Sequence, residues 1–371
     1  MKKILFMIHS LNCAGAQRVL VDMVNNLDLD EYDVTIHTIR RSDELVPEID
    51  KRIHIKNIIN TEHKIIKQFV SYLIRRVLPL KWVYNRFIKN DYDYEVAYLE
   101  GEVTRLLAYS TNSKAKKYAW VHTDMMRNFT SQGLYKTVNE HKAVYEKYDK
   151  IICVSEGVKK AFGDRFGITE NVIVKYNISN EKTINKKAEE SADDFCENRG
   201  INLITVSKLR PEKRHIMLLN VLKCLKNEGY TFFLHIVGDG SEYESVKQAI
   251  ADNQLSDCVK LMGQKSNPYP YIKKSDLLVI SSTAEGYPTV AVEAGVLGVP
   301  VISTECAGVN EVLNDGKFGI IVENSEEGLY SGLKEIFESP DILLKYKEIL
   351  SNGSVFSSEN RIKEINKLFE D

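Results

Sequence analysis

Residues 281–298, S-S-T-A-E-G-Y-P-T-V-A-V-E-A-G-V-L-G, hold the densest chemistry in the chain. They follow a short apolar run at 277–280. Gly286 permits a tight turn with close backbone approach, and Pro288 suits the first position of a helix. A helix opening at the carboxyl end of a buried strand presents backbone N–H groups, here from Tyr287 through Thr289 to Val290, that suit a phosphate. Two carboxylates flank the turn, Glu285 just before it and Glu293 inside the helix. A carboxylate accepts two hydrogen bonds from a vicinal diol, so the pair is able to hold two sugar rings at either end of a diphosphate. The competing reading makes Glu285 a helix cap and Glu293 a solvated surface residue.

The elements that must position these groups alternate between strand and helix. Apolar runs at 3–8, 34–39, 95–99, 117–121 and 151–154 predict strands in the first half. Between the first two, Val19, Leu20, Met23, Val24 and Leu27 recur at helical spacing. The second half repeats the scheme with runs at 203–206, 232–237, 259–262, 277–280, 299–302 and 320–322. Continuous apolar strands alternating with helices imply a parallel sheet covered on both faces. The expected class is therefore α/β, with two Rossmann-like doubly wound domains. The first is expected over 1–178 and the second over 201–352. Residues 179–200 are poor in core formers and predict a linker. A helix with Ile362, Ile365, Leu368 and Phe369 on one face is expected within 353–371, docking elsewhere, the N-terminal domain being one place for it.

Whole-chain properties exclude several classes. At 371 residues, 43% hydrophobic and 27% charged, this is the composition of a globular protein. A net charge of −2 does not advertise nucleic acid as a partner. The six cysteines form no C-x-x-C pair and read as reduced cytosolic thiols, not as a disulfide frame or zinc site. The apolar start breaks at His9, too early for a signal peptide, and no apolar run is long enough to span a membrane. Neither G-x-G-x-x-G after the first strand nor G-x-x-x-x-G-K-[ST] is present, which argues against a dinucleotide enzyme or an ATPase.

The 281–298 stretch resembles the E-x7-E signature of glycosyltransferase family 4, whose members have the GT-B fold of two Rossmann-like domains facing a cleft. Upstream, V-S-K-L-R-P-E-K-R at 206–214 resembles that family's V-G-R-L-x-x-x-K-G element. The resemblance implies that Lys208 and Lys213 meet the donor diphosphate, with Lys208 where Arg is usual. V-G-D-G at 237–240 resembles the family's glycine turn, and L-M-G-Q-K at 261–265 the segment whose backbone meets the base. Gly238, Gln264 and Lys265 join the expected donor-binding set on that ground. V-P-V-I-S-T-E-C-A-G-V-N-E at 299–311 resembles the strand and loop that follow.

In the first half, C-A-G-A-Q-R-V-L at 13–20 resembles the family's G-G-A-E-R element, with Gly15 retained and Ala14 in place of the first glycine. W-V-H-T-D at 120–124 resembles its His-bearing loop, which implies that His122 meets a hydroxyl of the transferring sugar. The implied activity is retaining transfer from a nucleotide-diphosphate sugar, a UDP-sugar by family frequency, to a glycan or lipid-linked acceptor in cell-surface polysaccharide biosynthesis. The implied catalytic residues are Glu285, His122, Lys208 and Lys213, with no metal and no cofactor. D-Y-D at 91–93 has the form of a metal-binding D-x-D but lies in the wrong half for the donor. A sugar-nucleotide epimerase and a non-catalytic partner subunit of the same fold are the rival readings.

Residues 63–90 contain seven Lys or Arg and no Asp or Glu, with Phe69, Tyr72, Leu73, Trp82 and Phe87 interleaved. That composition suits peripheral contact with an anionic membrane at its inner face. It equally suits an amphipathic helix with one packed face, broken at Pro79.

Overall fold

The computed structural model describes every residue except 62, 89–90, 128–132, 197–199, 352–355 and 371. It divides into two compact units, Met1–Ile178 with Glu359–Asp371, and Ser179–Ser358.

The first unit is built on β1 (Lys2–Ile8), β2 (Tyr32–Arg40), β3 (His54–Ile59), β4 (Tyr94–Ala97), β5 (Lys116–Val121), β6 (Lys150–Cys153) and β7 (Val172–Val174). These form one parallel sheet in the order β3-β2-β1-β4-β5-β6-β7. Residues Ile4 to Ile8 of β1 are all fully buried, as expected for a central strand covered on both faces. The helix Gly15–Asn25 buries Val19, Leu20, Met23 and Val24.

The second unit holds β8 (Ile201–Val206), β9 (Phe232–Val237), β10 (Val259–Gly263), β11 (Leu277–Ile280), β12 (Val301–Thr304) and β13 (Ile320–Val322). They too are parallel, in the order β10-β9-β8-β11-β12-β13. In both sheets the order reverses direction beside the first strand, between β1 and β4 and between β8 and β11. Such reversals leave a crevice at the carboxyl ends of the strands, where α/β sheets take their ligands.

Residues 179–200 are not a free linker. They belong to the second unit and begin with a helix, Glu181–Lys187. Ile184 of that helix, Ala188 at its C-cap and Ala192 beyond it are all buried. Phe195 stacks on His235 with ring centroids 4.1 Å apart, and Asp194 pairs with Lys265. Residues 197–199 of this segment lie outside the described residues.

The closing helix, Glu359–Asn366, belongs with the first unit. Phe369 just beyond it is fully buried, edge-on to Phe6 and Tyr94. Ser358, the residue before it, exchanges hydrogen bonds with the backbone of Ser179. Phe356 remains in the second unit against Gly295; residues 353–355 and 371 lie outside the described residues.

Candidate functional site

In the second unit, the candidate residues follow the carboxyl ends of adjacent strands. Lys208 lies two residues beyond β8 and is exposed. Its loop continues the β8–β9 ladder: Ser207 donates to the Val237 carbonyl at 3.1 Å and Leu209 to that of Asp239 at 3.0 Å. Gly238 has φ +150°, and a Cβ there would stand 1.9 Å from the Ser207 carbonyl oxygen. Only glycine fits this close approach of two loops.

The other wall of the crevice comes from β11. Its continuation, Ser281–Ser282, is buried and stitched to the 211–214 turn. The Ser281 hydroxyl donates to the Lys213 carbonyl at 2.7 Å, and the Thr283 N–H to that of Glu212 at 2.8 Å. Arg214 sits in the left-handed region at φ 50° and reaches back to the Ser281 carbonyl at 2.9 Å and to Asn324 Oδ1. This bracing delivers Lys213 Nζ to Glu285 Oε1 at 2.5 Å, where the Ser282 hydroxyl also donates at 2.7 Å. A positive and a negative group are thus held side by side, both partly buried.

Beyond Glu285 the chain turns at Gly286, whose carbonyl oxygen a Cβ on Gly308 would meet at 2.0 Å. Tyr287 and Pro288 are buried. The helix runs Thr289–Val296, so Pro288 is its N-cap rather than its first residue, and no side chain caps it. Glu285 is therefore a partner of Lys213 and not a helix cap. Glu293 lies in the helix and is partly buried rather than fully solvated. The arrangement offers two cations, helix N–H groups and two carboxylates in the chain that follows the carboxyl ends of β8 and β11, a composition matched to a polyanion joined to hydroxyl-rich groups.

Gln264 is exposed past the end of β10. Lys265 is turned away into an ion pair with Asp194 at 2.6 Å, lying over the Tyr271 ring. That leaves the backbone of 264–265, rather than the lysine charge, for any ligand.

In the first unit, Gly15 is exposed as the first residue of the helix after β1, also uncapped by a side chain. His122 follows β5. Its ring lies edge-on to Tyr98, with centroids 4.8 Å apart, and Nε2 is buried without a hydrogen-bond partner among the described residues. Burial depresses its pKa to about 3, so the ring is neutral, able to offer or accept a single hydrogen bond at Nε2. Asp91 and Asp93 are both engaged by Lys3, Asp93 by its backbone N–H at 2.7 Å and Asp91 by its ammonium at 3.1 Å.

Sequence reasoning missed the bracing residues Ser281, Ser282, Arg214 and Asn324, and in the first unit it missed Glu100, whose carboxyl meets the His122 loop. Arg214 lies within the 206–214 element and Ser281 and Ser282 open the 281–298 stretch, so their positions were visible though their roles were not. Glu100 has only the pattern of an acid before a glycine at a strand end to betray it.

Comparison with known proteins agrees across both units. The family model for glycosyl transferases group 1 matches residues 187–353, and that for glycosyltransferase family 4 matches residues 14–178. The N-acetylgalactosamine-N,N'-diacetylbacillosaminyl-diphospho-undecaprenol 4-alpha-N-acetylgalactosaminyltransferase of Campylobacter jejuni is 26% identical over 364 residues, covering 94% of this chain and 93% of its own. S. aureus TarM, solved with Fondaparinux, alpha-GlcNAc-glycerol and UDP, superposes with a TM-score of 0.76 at 14% identity over 100% of both chains. Anabaena HepE in complex with UDP and glucose gives 0.75 at 19% identity, over 99% of this chain and 98% of that one.

Proposed function

The chain belongs to the group 1 glycosyltransferases of family 4 and has their GT-B fold, and from that premise we propose that it is a retaining, metal-independent enzyme moving a sugar from a UDP-sugar to a lipid-linked saccharide. It is a transferase of polysaccharide or glycan biosynthesis. The observation that carries the finer reading is the Lys213–Glu285 pair beside an uncapped helix N-terminus.

The chemical difficulty is the charge that grows on the departing nucleotide diphosphate. Lys213, Lys208 and the N–H groups at the start of helix Thr289–Val296 meet that charge as it develops. Glu285 takes hydroxyls of the sugar next to the diphosphate, and Glu293 those of the ribose. From the first unit, Gly15 allows close backbone approach and His122 Nε2 takes a hydroxyl of the transferring sugar. The bond from the anomeric carbon to the phosphate oxygen breaks, and the bond to the acceptor oxygen forms on the same face. The acceptor's proton passes to the phosphate oxygen that leaves, which removes the need for a separate base. Supporting the UDP and sugar reading, HepE is solved with UDP and glucose, and TarM with UDP.

A lipid-linked acceptor is supported by two observations. The C. jejuni relative is named for a diphospho-undecaprenol acceptor and an alpha linkage. In this chain, helices Lys64–Arg76 and Leu80–Phe87 expose apolar side chains at Ile65, Phe69, Tyr72 and Trp82. Ile65, Phe69 and Tyr72 recur at helical spacing, so the outward face is apolar and aromatic with basic residues around it. No helix among the described residues is long and apolar enough to cross a membrane.

A thermal-shift screen over nucleotide sugars, followed by NMR of the product anomer, tests the proposal. One UDP-sugar raising Tm above all others and yielding an α-linked product supports it. A β-linked product from an α-linked donor, or no response to any nucleotide sugar, refutes it.

A further inference from the structure

The first unit carries a carboxylate, Glu100, that has no direct part in the proposed transfer. Glu100 stands just beyond β4, and the residue after it, Gly101, has φ +89°. A Cβ on Gly101 would meet nothing closer than Leu134 at 3.4 Å. Conformation rather than space therefore calls for glycine here. The turn sends the chain into helix Glu102–Leu107 and leaves the Glu100 side chain facing the end of the neighbouring strand, β5.

There one oxygen, Oε1, gathers three donors. They are the backbone N–H of His122, the backbone N–H of Thr123 at 2.8 Å and the Thr123 hydroxyl at 3.2 Å. These are the first two residues after β5. Among the described residues no strand continues the ladder at that point, so the carboxyl group takes the place of the missing backbone acceptor. Burial pushes the Glu100 pKa up, and the same donors oppose that rise. Hydrogen bonds to a charged acceptor are roughly twice as strong as neutral ones, so the ionised form makes a firm clamp on the loop. The same loop carries the His122 ring, edge-on to Tyr98, with Nε2 buried and unpartnered among the described residues.

We infer that Glu100 is a positioning residue for transfer: by holding the backbone of His122 and Thr123 it fixes the direction in which His122 Nε2 meets the hydroxyl of the transferring sugar. This rests on the proposed role of His122. A loop free to drift would leave the imidazole able to reach that hydroxyl only part of the time, and misplacement by about 1 Å costs up to roughly a hundredfold in rate. The effect belongs on kcat, because the nucleotide is held by residues of the second unit.

The test compares His122→Ala, Glu100→Ala, Glu100→Gln and the double variant Glu100→Ala/His122→Ala in the full chain. Transfer kcat, the donor KM and the Kd for UDP are measured for each. Glu100→Ala should lower kcat roughly tenfold to a hundredfold with UDP affinity unchanged. Glu100→Gln, whose amide oxygen still accepts from the same donors, should recover to within about threefold of the parent. The double variant should be no slower than the slower single variant, since both changes act through one group. Parent kcat in Glu100→Ala beside a slow His122→Ala overturns the inference alone, as does an additive loss in the double variant or a Gln variant as slow as the Ala. Parent kcat in His122→Ala overturns the His122 role and the inference with it. If Glu100→Ala does not fold, Thr123→Val removes just the hydroxyl donor and should cost about threefold in kcat; an unchanged kcat there overturns the inference.

Discussion

Lys213 Nζ donates to Glu285 Oε1 at 2.5 Å although 72 residues separate the two in the chain. Each group orients the other, and both stay partly exposed, so a ligand is able to enter between or beside them. Lys213→Ala removes the charge proposed to bind the diphosphate and frees Glu285 to repel an anion. Affinity for UDP should fall roughly tenfold to a hundredfold, the value of a hydrogen bond to a charged group. Glu285→Gln should behave differently, keeping UDP affinity but slowing transfer, because its proposed partner is the sugar. Calorimetry with UDP on both variants decides it; equal UDP binding by Lys213→Ala and the parent excludes Lys213 from the site.

Activity is expected to persist in excess EDTA. In the proposed transfer, lysines and helix N–H groups meet the charge on the leaving group, and the Asp91 and Asp93 carboxylates are both taken up by Lys3. Complete loss in EDTA with rescue by magnesium or manganese would revive Asp91 and Asp93 as metal ligands.

Acid should destabilise the protein below neutrality. Burial lowers the pKa of His141, His215 and His235 to about 4 each, and of His122 to about 3. In the unfolded chain these rings bind a proton near pH 6.5, so as pH falls from about 6.5 to about 4 the unfolded state takes up more protons than the folded one and stability is lost. Stability from these groups is complete above that window. His141→Phe should flatten the slope, since Phe preserves the stack on Tyr135, whose ring lies 3.9 Å from that of His141, without a proton to take up. Urea midpoints between about pH 7 and about pH 4.5, which bracket most of the window, measure this. An unchanged slope in His141→Phe would show that its ring titrates alike in both states.

Strands buried on both faces were legible because they are continuous apolar runs, as β9, β11 and β12 show. Two strands of the first unit were not. In β3, His54, Lys56 and Asn57 interrupt the apolar residues on a sheet edge, and β7 has just three residues. Residues 179–200 misled through their many charges, which hid the buried Ile184, Ala188 and Ala192. At the site, the strand-end glycines and acids could be found by type and order. The direct pairing of Lys213 with Glu285 could not, because it depends on Arg214 adopting a left-handed conformation and bracing a loop from another strand. Glu100 was hard to find for a like reason: its partners, two backbone N–H groups and the Thr123 hydroxyl, belong to a different strand end.

The basic helices offer the last test. Arg75 is paired with Glu102, and Lys67 donates to the Arg41 carbonyl at 2.8 Å, so neither is the best charge to remove. Arg76, Lys81 and Arg86 are exposed, as are Phe69, Tyr72 and Trp82; Lys89 and Asn90 lie outside the described residues. Each basic residue near an anionic surface contributes about 1 kcal/mol, so replacing three with Gln should weaken vesicle binding by roughly a hundredfold at low salt. Aromatic side chains that enter the interface add a part that salt does not screen, so Phe69→Ser with Trp82→Ser should weaken binding at high salt as well. Both sets should leave UDP affinity unchanged, because the lysines, helix N–H groups and ribose-binding carboxylate proposed to hold the nucleotide belong to the second unit and Gly15 is not altered. Sedimentation with phosphatidylglycerol vesicles and with neutral phosphatidylcholine vesicles separates the two contributions. Undiminished binding in both sets of variants would reduce these helices to ordinary surface elements, leaving the donor chemistry of the second unit untouched.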